Sequence, residues 1–163
     1  TLQATPQGSQ PPLQIGSRTF TLKQFHFHDP SEHTFKGRHF PLELHLVHGA
    51  EDGALAVLAV VFQEGDENPA LAPLVAESLS NGQTRKLAEP LDIRPLLPKT
   101  LSYFRLNGSL TTPPCSEGVT WVVFSSPVKV SKAQIEALGQ IMGGPNNRPV
   151  QPLNARILVD EDR

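Results

Sequence analysis

The sequence predicts a mainly β protein of one domain, with short helices at its periphery. Three observations carry this reading. Several segments alternate with the period of two that a strand imposes on its side chains. The 163 residues include 16 Pro and 12 Gly, a density that cuts helices short and favours strands joined by turns. Only two segments space their apolar residues as a helix does. The length suits one domain with a real core and is too short for two.

Thr19 to His28 alternates throughout. Phe20, Leu22, Gln24, His26 and His28 share one face, and Thr21, Lys23, Phe25 and Phe27 the other. Aromatic residues on the second face suit a central strand covered on both sides. Asp29 to Arg38 holds Pro30 and Gly37 and reads as a connection. Phe40 to His48 alternates again, with Leu42, Leu44, Leu46 and His48 on one face and Glu43, His45 and Val47 on the other. Leu55 to Phe62 is a short apolar run between Gly53 and Gly65, the pattern of a buried strand. From Pro69 on, Leu71, Leu74, Val75, Ser78 and Leu79 follow helical spacing, with Asn68 as cap and Pro69 in the first turn. Val119 to Phe124 is a further strand. A second helix starts at Ser131, with Gln134 three residues on in a capping-box pattern. Ile135, Leu138, Ile141 and Met142 form its stripe, and Gly143-Gly144-Pro145 stops it. Arg156 to Val159 is the last predicted strand.

Composition excludes several classes of function. The longest apolar run, Ala54 to Phe62, spans 9 residues, far below the roughly 20 of a membrane-crossing helix. The net charge of -2 comes from 14 basic and 16 acidic residues spread along the chain. No basic stripe points to nucleic acid or to a membrane surface. The single Cys115 has no partner within the chain for a disulfide. The first dozen residues show no initiator Met, basic segment or apolar segment of a signal peptide.

The chemistry-bearing feature is a cluster of histidines. All six, His26, His28, His33, His39, His45 and His48, fall within 23 residues. His26 and His28 emerge on one strand face, one pleat apart. An antiparallel neighbour can bring His45 opposite them, since facing Cβ atoms lie roughly 5 Å apart. Three neutral imidazoles leave a fourth tetrahedral position for water, the composition of a catalytic zinc site. The pair alone is also open to reading as hydrogen-bonded strand histidines; His45 with Glu43 favours the metal. Gln24 beside His26 and Glu43 beside His45 are placed to accept the free ring N–H groups, which fixes the tautomer of each ligand. His48 faces away from His45, and His33 and His39 lie in the connection, so these three read as structural.

Gln24-Phe25-His26-Phe27-His28, Ser31-Glu32-His33-Thr34 and Glu43-Leu44-His45-Leu46-Val47-His48 together resemble the α-class carbonic anhydrases. The likeness continues through Leu91-Asp92, Leu96-Leu97-Pro98, Tyr103, Gly108 to Pro114, Val119-Thr120-Trp121, Asn147-Arg148-Pro149 and Gln151-Pro152-Leu153. Short loops and the run from His26 to His33 resemble a bacterial member. The resemblance implies a twisted, ten-stranded, mostly antiparallel sheet around a conical cleft. It implies Zn2+ held by His26, His28 and His45, and reversible hydration of CO2 to bicarbonate and a proton by zinc-bound hydroxide. It gives Thr111 and Glu32 a paired catalytic role: a hydroxyl that donates to a carboxylate can only accept from the hydroxide, which turns its lone pair toward carbon. It implies an apolar substrate pocket of Val47, Val57, Leu110, Val119 and Trp121. Thr112 would stand at the cleft wall, where anions and sulfonamide-type inhibitors bind.

The family's amino-terminal segment, with several strands and a proton-shuttling His, has no counterpart here. Residues 1–163 are therefore expected to be one carbonic anhydrase domain lacking that part, with turnover impaired. The chain is then a fragment, the ordered portion of a longer one, or a protein completed by a second copy or another chain that supplies the segment. Cys115 matches the place where many secreted members pair with a cysteine of that segment, which implies a periplasmic or secreted location. Two other readings compete. A weak or inactive binding module on the same fold would lack sulfonamide-sensitive turnover. A cupin-type metalloenzyme would need Glu32 as a ligand of iron or manganese, and leaves Leu110 to Pro114 and Trp121 unexplained.

Overall fold

The computed structural model describes residues 1–8, 10–76 and 79–161. The strands among them are β1 (Gln3–Ala4), β2 (Leu13–Ile15), β3 (Arg18–His28), β4 (Thr34–Phe35), β5 (Arg38–His39), β6 (Leu42–Gly49), β7 (Leu55–Glu64), β8 (Tyr103–Ser109), β9 (Glu117–Phe124), β10 (Val128–Val130) and β11 (Val159–Glu161). Nine of them form one sheet, whose main order is β1-β3-β6-β7-β9-β8-β11; β2 adds to β3, and β10 adds to β7. The pairings are antiparallel except β7 with β9 and β10 with β7. This is the mainly β, mostly antiparallel sheet that the sequence predicts.

Each face of the sheet buries a separate apolar cluster. Phe25, Phe27, Leu42, Leu44, Leu46, Val60 and Phe62 pack on one side with Leu71, Leu74, Leu96 and Leu138. Val57, Ala59, Val119, Trp121 and Val123 pack on the other. The first side is closed by α1 (Ala72–Val75) and α2 (Lys132–Met142). α2 begins where expected: the Ser131 hydroxyl accepts from Gln134 N–H, and the Gln134 side chain accepts from Ser131 N–H. It ends on Gly143, in the left-handed conformation at φ 79° that glycine tolerates without cost.

The structure revises several sequence expectations. The two faces of β3 do not run through its whole length. A bulge at Lys23 shifts the register between Leu22 and Gln24. An extra residue reverses the parity of everything beyond it. Leu22 therefore joins Phe25 and Phe27 in the large cluster, not Gln24, His26 and His28. The helix at Pro69 is shorter than expected: a 3-10 turn (Pro69–Leu71) leads into α1, which stops at Val75. Asn68 caps it as expected, accepting from Ala70 N–H. Leu79 is outside any helix, and Ser78 lies outside the described residues. The last strand is Val159–Glu161, not Arg156 to Val159. Arg156 N–H closes a turn onto Leu153 O, and Ile157 stands 78% exposed, so the apolar run there is not buried in the sheet. β8 has no sequence counterpart in the predicted set, and the connection after His28 contains the hairpin β4–β5.

Candidate metal centre

β3 and β6 pair so that His26 faces His45 and His28 faces Glu43. This register follows from the leucines: Leu44 and Leu46 must enter the large cluster beside Phe25 and Phe27, so the odd-numbered residues of β6 emerge with His26 and His28. The three imidazoles converge, with ring centroids 5.0 Å (His26–His28), 5.3 Å (His26–His45) and 4.5 Å (His28–His45) apart. One nitrogen from each lies within 4.8 Å of the others.

Hydrogen bonds leave those nitrogens free. His26 Nδ1–H donates to Gln24 Oε1 at 2.8 Å, leaving Nε2. His45 Nε2–H donates to Glu43 Oε1 at 2.9 Å, leaving Nδ1. His28 Nδ1–H reaches the Asn146 carbonyl at 3.4 Å, and its Nε2 is buried with no hydrogen-bond partner. A buried polar atom without a partner costs about 1–3 kcal/mol, and a cation among the three rings is the group that supplies one. Burial, reinforced by the neighbouring His45 and His28, holds His26 down to about 3. Burial also lowers His28 and His45. Three neutral imidazoles with a further corner open suit Zn2+.

Glu43 is the hub behind this cluster. Fully buried, it accepts four hydrogen bonds. Oε1 takes His45 Nε2–H and His33 Nδ1–H, the latter at 2.6 Å. Oε2 takes the backbone N–H groups of Glu32 and His33, both at 2.8 Å. Burial alone would raise its pKa, but the facing His33 and His45 hold it well below the usual carboxylate range. For His33, burial acts downward and the Glu43 carboxylate outweighs it, so its pKa is raised.

Glu32 is buried beside the cluster, with Oε1 accepting Arg148 N–H at 2.7 Å. Its Oε2 has no hydrogen-bond partner, so the expected bond from the Thr111 hydroxyl is not made here. Thr111 nevertheless lines the same cavity as His26 and His45. That cavity, about 240 Å³, is bounded further by Gln24, Val47, Leu55, Val57, Leu110, Thr112 and Trp121. Val119 packs with Val57 and Trp121 behind this wall. The Trp121 ring stands edge-on to His45 at 4.8 Å, and its N–H donates to Ser109 O. A Cβ on Gly108 would lie 3.0 Å from Trp121 Cδ1, so the glycine lets the ring pack closely against the backbone there. Among the described residues, the groups placed to share a metal do not include Glu32, the ligand that a cupin-type centre would need.

Sequence reasoning missed two parts of the site. His33, read as a structural loop residue, holds Glu43 and stands edge-on to Trp121 at 5.1 Å. Asn146 is 118 residues from His28, and its side chain also bonds Asp29 N–H and Phe27 O. The only sequence signal for His33 was its place in the Ser31 to Thr34 motif. Asn146 had none beyond standing next to Asn147-Arg148-Pro149. His48 lies on the opposite face, as expected, bonded to Leu46 O. His39 is exposed on β5, but its ring N–H reaches Ser31 O.

Residues 1–161 match the family model for eukaryotic-type carbonic anhydrase. A carbonic anhydrase of Pectobacterium carotovorum is 49% identical over 148 residues, covering 90% of this chain and 61% of the relative. The chain thus spans about three-fifths of the length of that relative. The α-carbonic anhydrase of Thermovibrio ammonificans, solved with the inhibitor sulfanilamide, superposes with a TM-score of 0.91 at 47% identity, covering 96% of this chain and 69% of that one. The α-carbonic anhydrase of Photobacterium profundum superposes at 0.90 with 52% identity, covering 96% and 71%. Motifs, sheet and relatives agree: the chain belongs to the α, or eukaryotic-type, carbonic anhydrase family.

Proposed function

We propose that the chain carries out zinc-dependent, reversible hydration of CO2 to bicarbonate and a proton. The observation that carries this is the convergence of three ring nitrogens, their tautomers fixed from behind, at one wall of an apolar-lined cavity. His26 Nε2, His28 Nε2 and His45 Nδ1 would hold Zn2+. The bound ion supplies acidity, lowering the pKa of a water to about 7, a magnitude taken from carbonic anhydrases themselves. Gln24, Glu43 and the Asn146 carbonyl keep each ring turned so that its lone pair faces the ion.

Thr111 and Glu32 act as a pair in this reading. The buried Glu32 Oε2, which has no partner in the structure, would accept the Thr111 hydroxyl proton. With that proton committed, the hydroxyl can only accept, so it selects a partner that brings a hydrogen and orients its lone pair toward the substrate. CO2 has no charge to anchor, and the wall of Val47, Val57, Leu110 and Trp121, backed by Val119, suits it. Anions and sulfonamides would bind beside Thr112. The resemblance at Cys115 supports a location in the periplasm or outside the cell, and the short loops and the run from His26 to His33 support a bacterial protein. The exposed Val150, Leu153, Ile157 and Leu158 support a polypeptide partner, a second copy or another chain, that covers these side chains.

Metal analysis with stopped-flow CO2 hydration tests the reading. One zinc per chain, sulfonamide-sensitive turnover, and loss of zinc in His26→Ala and His45→Ala are expected. Full zinc in His45→Ala refutes the ligand set, and zinc without turnover identifies a binding module instead. A monomeric mass in light scattering, with no chain bound, refutes the partner.

A further inference from the structure

Beyond the ligands and their direct partners, the segment between β3 and β6 is itself held by a small device. β4 and β5 form a hairpin, Thr34 opposite His39 and Phe35 opposite Arg38. Its two turn residues, Lys36 and Gly37, have φ of 52° and 75°, the left-handed pair of a tight hairpin turn. Phe35 anchors the hairpin against Phe40 and against Phe104 of β8, edge-on at 5.4 and 5.9 Å.

Ser31 ties this hairpin to the metal centre. It is 0% exposed, and all its polar groups are used. Its hydroxyl donates to His33 O at 2.6 Å and accepts Phe40 N–H at 2.9 Å. Its own N–H donates to Phe40 O, and its carbonyl accepts the His39 ring N–H at 2.6 Å. The hydroxyl thus bridges both sides of the turn that carries Glu32 and His33. That turn aims two backbone N–H groups at Glu43 Oε2 and the His33 ring at Glu43 Oε1. Three of the four donors on Glu43 therefore come from the segment that Ser31 closes, and the fourth is the ring of His45.

We infer that Ser31, braced by His39 and the β4–β5 hairpin, is a positioning residue for the metal centre, acting through Glu43 on the orientation of His45. The inference rests on the metal-site reading above. Without the hydroxyl, the Glu32–His33 turn loses its cross-brace. Glu43 then has no fixed seat, and His45 loses the acceptor that keeps Nδ1 free. A side chain that only filled space at position 31 would leave the centre untouched.

The test compares Ser31→Ala and His39→Ala with the wild type and with Leu138→Ala, a cavity variant in the opposite cluster that lowers stability away from the site. Zinc release to an excess of chelator and the visible spectrum of the Co2+-substituted protein are the readouts. Ser31→Ala should release zinc on the order of 10-fold faster, the lower end for groups that orient a ligand, and should alter the cobalt bands. His39→Ala should move both readouts in the same direction, and Leu138→Ala neither. If Ser31→Ala does not fold, the surface variant His39→Ala decides by the same measurements. Wild-type release rates and cobalt spectra in the folded variants, or the same change in Leu138→Ala, overturn the inference. A wild type that binds no zinc defeats the metal-site reading instead.

Discussion

Glu43→Gln tests the hub of the site with a change of almost no volume. The carboxylate accepts four donors, two ring N–H groups at Oε1 and two backbone N–H groups at Oε2. An amide accepts on one side only and donates on the other. With its oxygen toward the rings, the amide NH2 meets the Glu32 and His33 N–H groups and leaves both without an acceptor. With its oxygen toward the backbone, those two are satisfied, and the NH2 donates to the rings. His45 must then accept at Nε2 and carry its proton on Nδ1, the atom needed by the metal. The metal-free variant takes the second arrangement, in which the amide pairs with all four of its neighbours. Binding zinc forces the first, at about 1–3 kcal/mol for each of two orphaned buried donors. The sum, about 2–6 kcal/mol, weakens zinc affinity by about 30-fold to about 20,000-fold at 1.4 kcal/mol per factor of ten. The stability of the metal-free form should change much less. Chelator competition gives the affinity, and chemical denaturation of the metal-free protein gives the stability. Zinc affinity within 3-fold of wild type would show that Glu43 does not set the His45 tautomer.

Thr111→Ala should retain zinc and lose CO2 hydration by about 100-fold, the lower end for a positioned proton-handling group; unchanged turnover removes Thr111 from the catalytic pair. Acidification should destabilise the metal-free protein. Burial lowers His26, His28, His45 and His48 from the unfolded value of 6.5, His26 to about 3. Below about 6.5 the unfolded chain binds protons that the folded one refuses, so stability is complete above that pH and falls progressively toward 3. His33 and Asp29, whose pKa values are raised, act with the opposite sign, and Glu43, whose pKa is lowered, acts with the four histidines. A melting temperature at pH 5.5 equal to or above that at pH 7.5, measured with chelator present, contradicts this. Gly108→Ala should cost about 1–3 kcal/mol, as overpacking does, because the new methyl sits 3.0 Å from the Trp121 ring. Trp121 fluorescence and urea denaturation report it, and an unchanged spectrum with wild-type stability argues against the close fit.

Much of this site was legible because strand geometry is local. Two residues apart on an extended chain means the same face, so His26, His28 and Gln24 could be grouped from their numbers alone. The same rule grouped His45 with Glu43 and opposed both to His48. Those groupings hold because they lie on uninterrupted stretches of β3 and β6. Where the chain departs from ideal pleating, the rule fails. Nothing in Leu22-Lys23-Gln24 announces the bulge, and Leu22 changes face because of it. β8, Tyr103–Ser109, has no clean alternation; it is a strand because β9 and β11 flank it. Ile157 and Leu158 look like strand residues but have no such neighbours.

By itself the sequence determined which histidines share a face within each strand, the capping box of α2 and the family. The tertiary structure alone decided that His26 stands opposite His45, that a single carboxylate gathers His33, His45 and the Glu32 backbone, and that Asn146 closes the far side of His28. The reason is the range of the forces. Side-chain alternation is set by each residue's immediate neighbours, whereas register, the seat of a buried carboxylate and a contact across 118 residues are set by which apolar surfaces bury together, and that is a property of the folded chain.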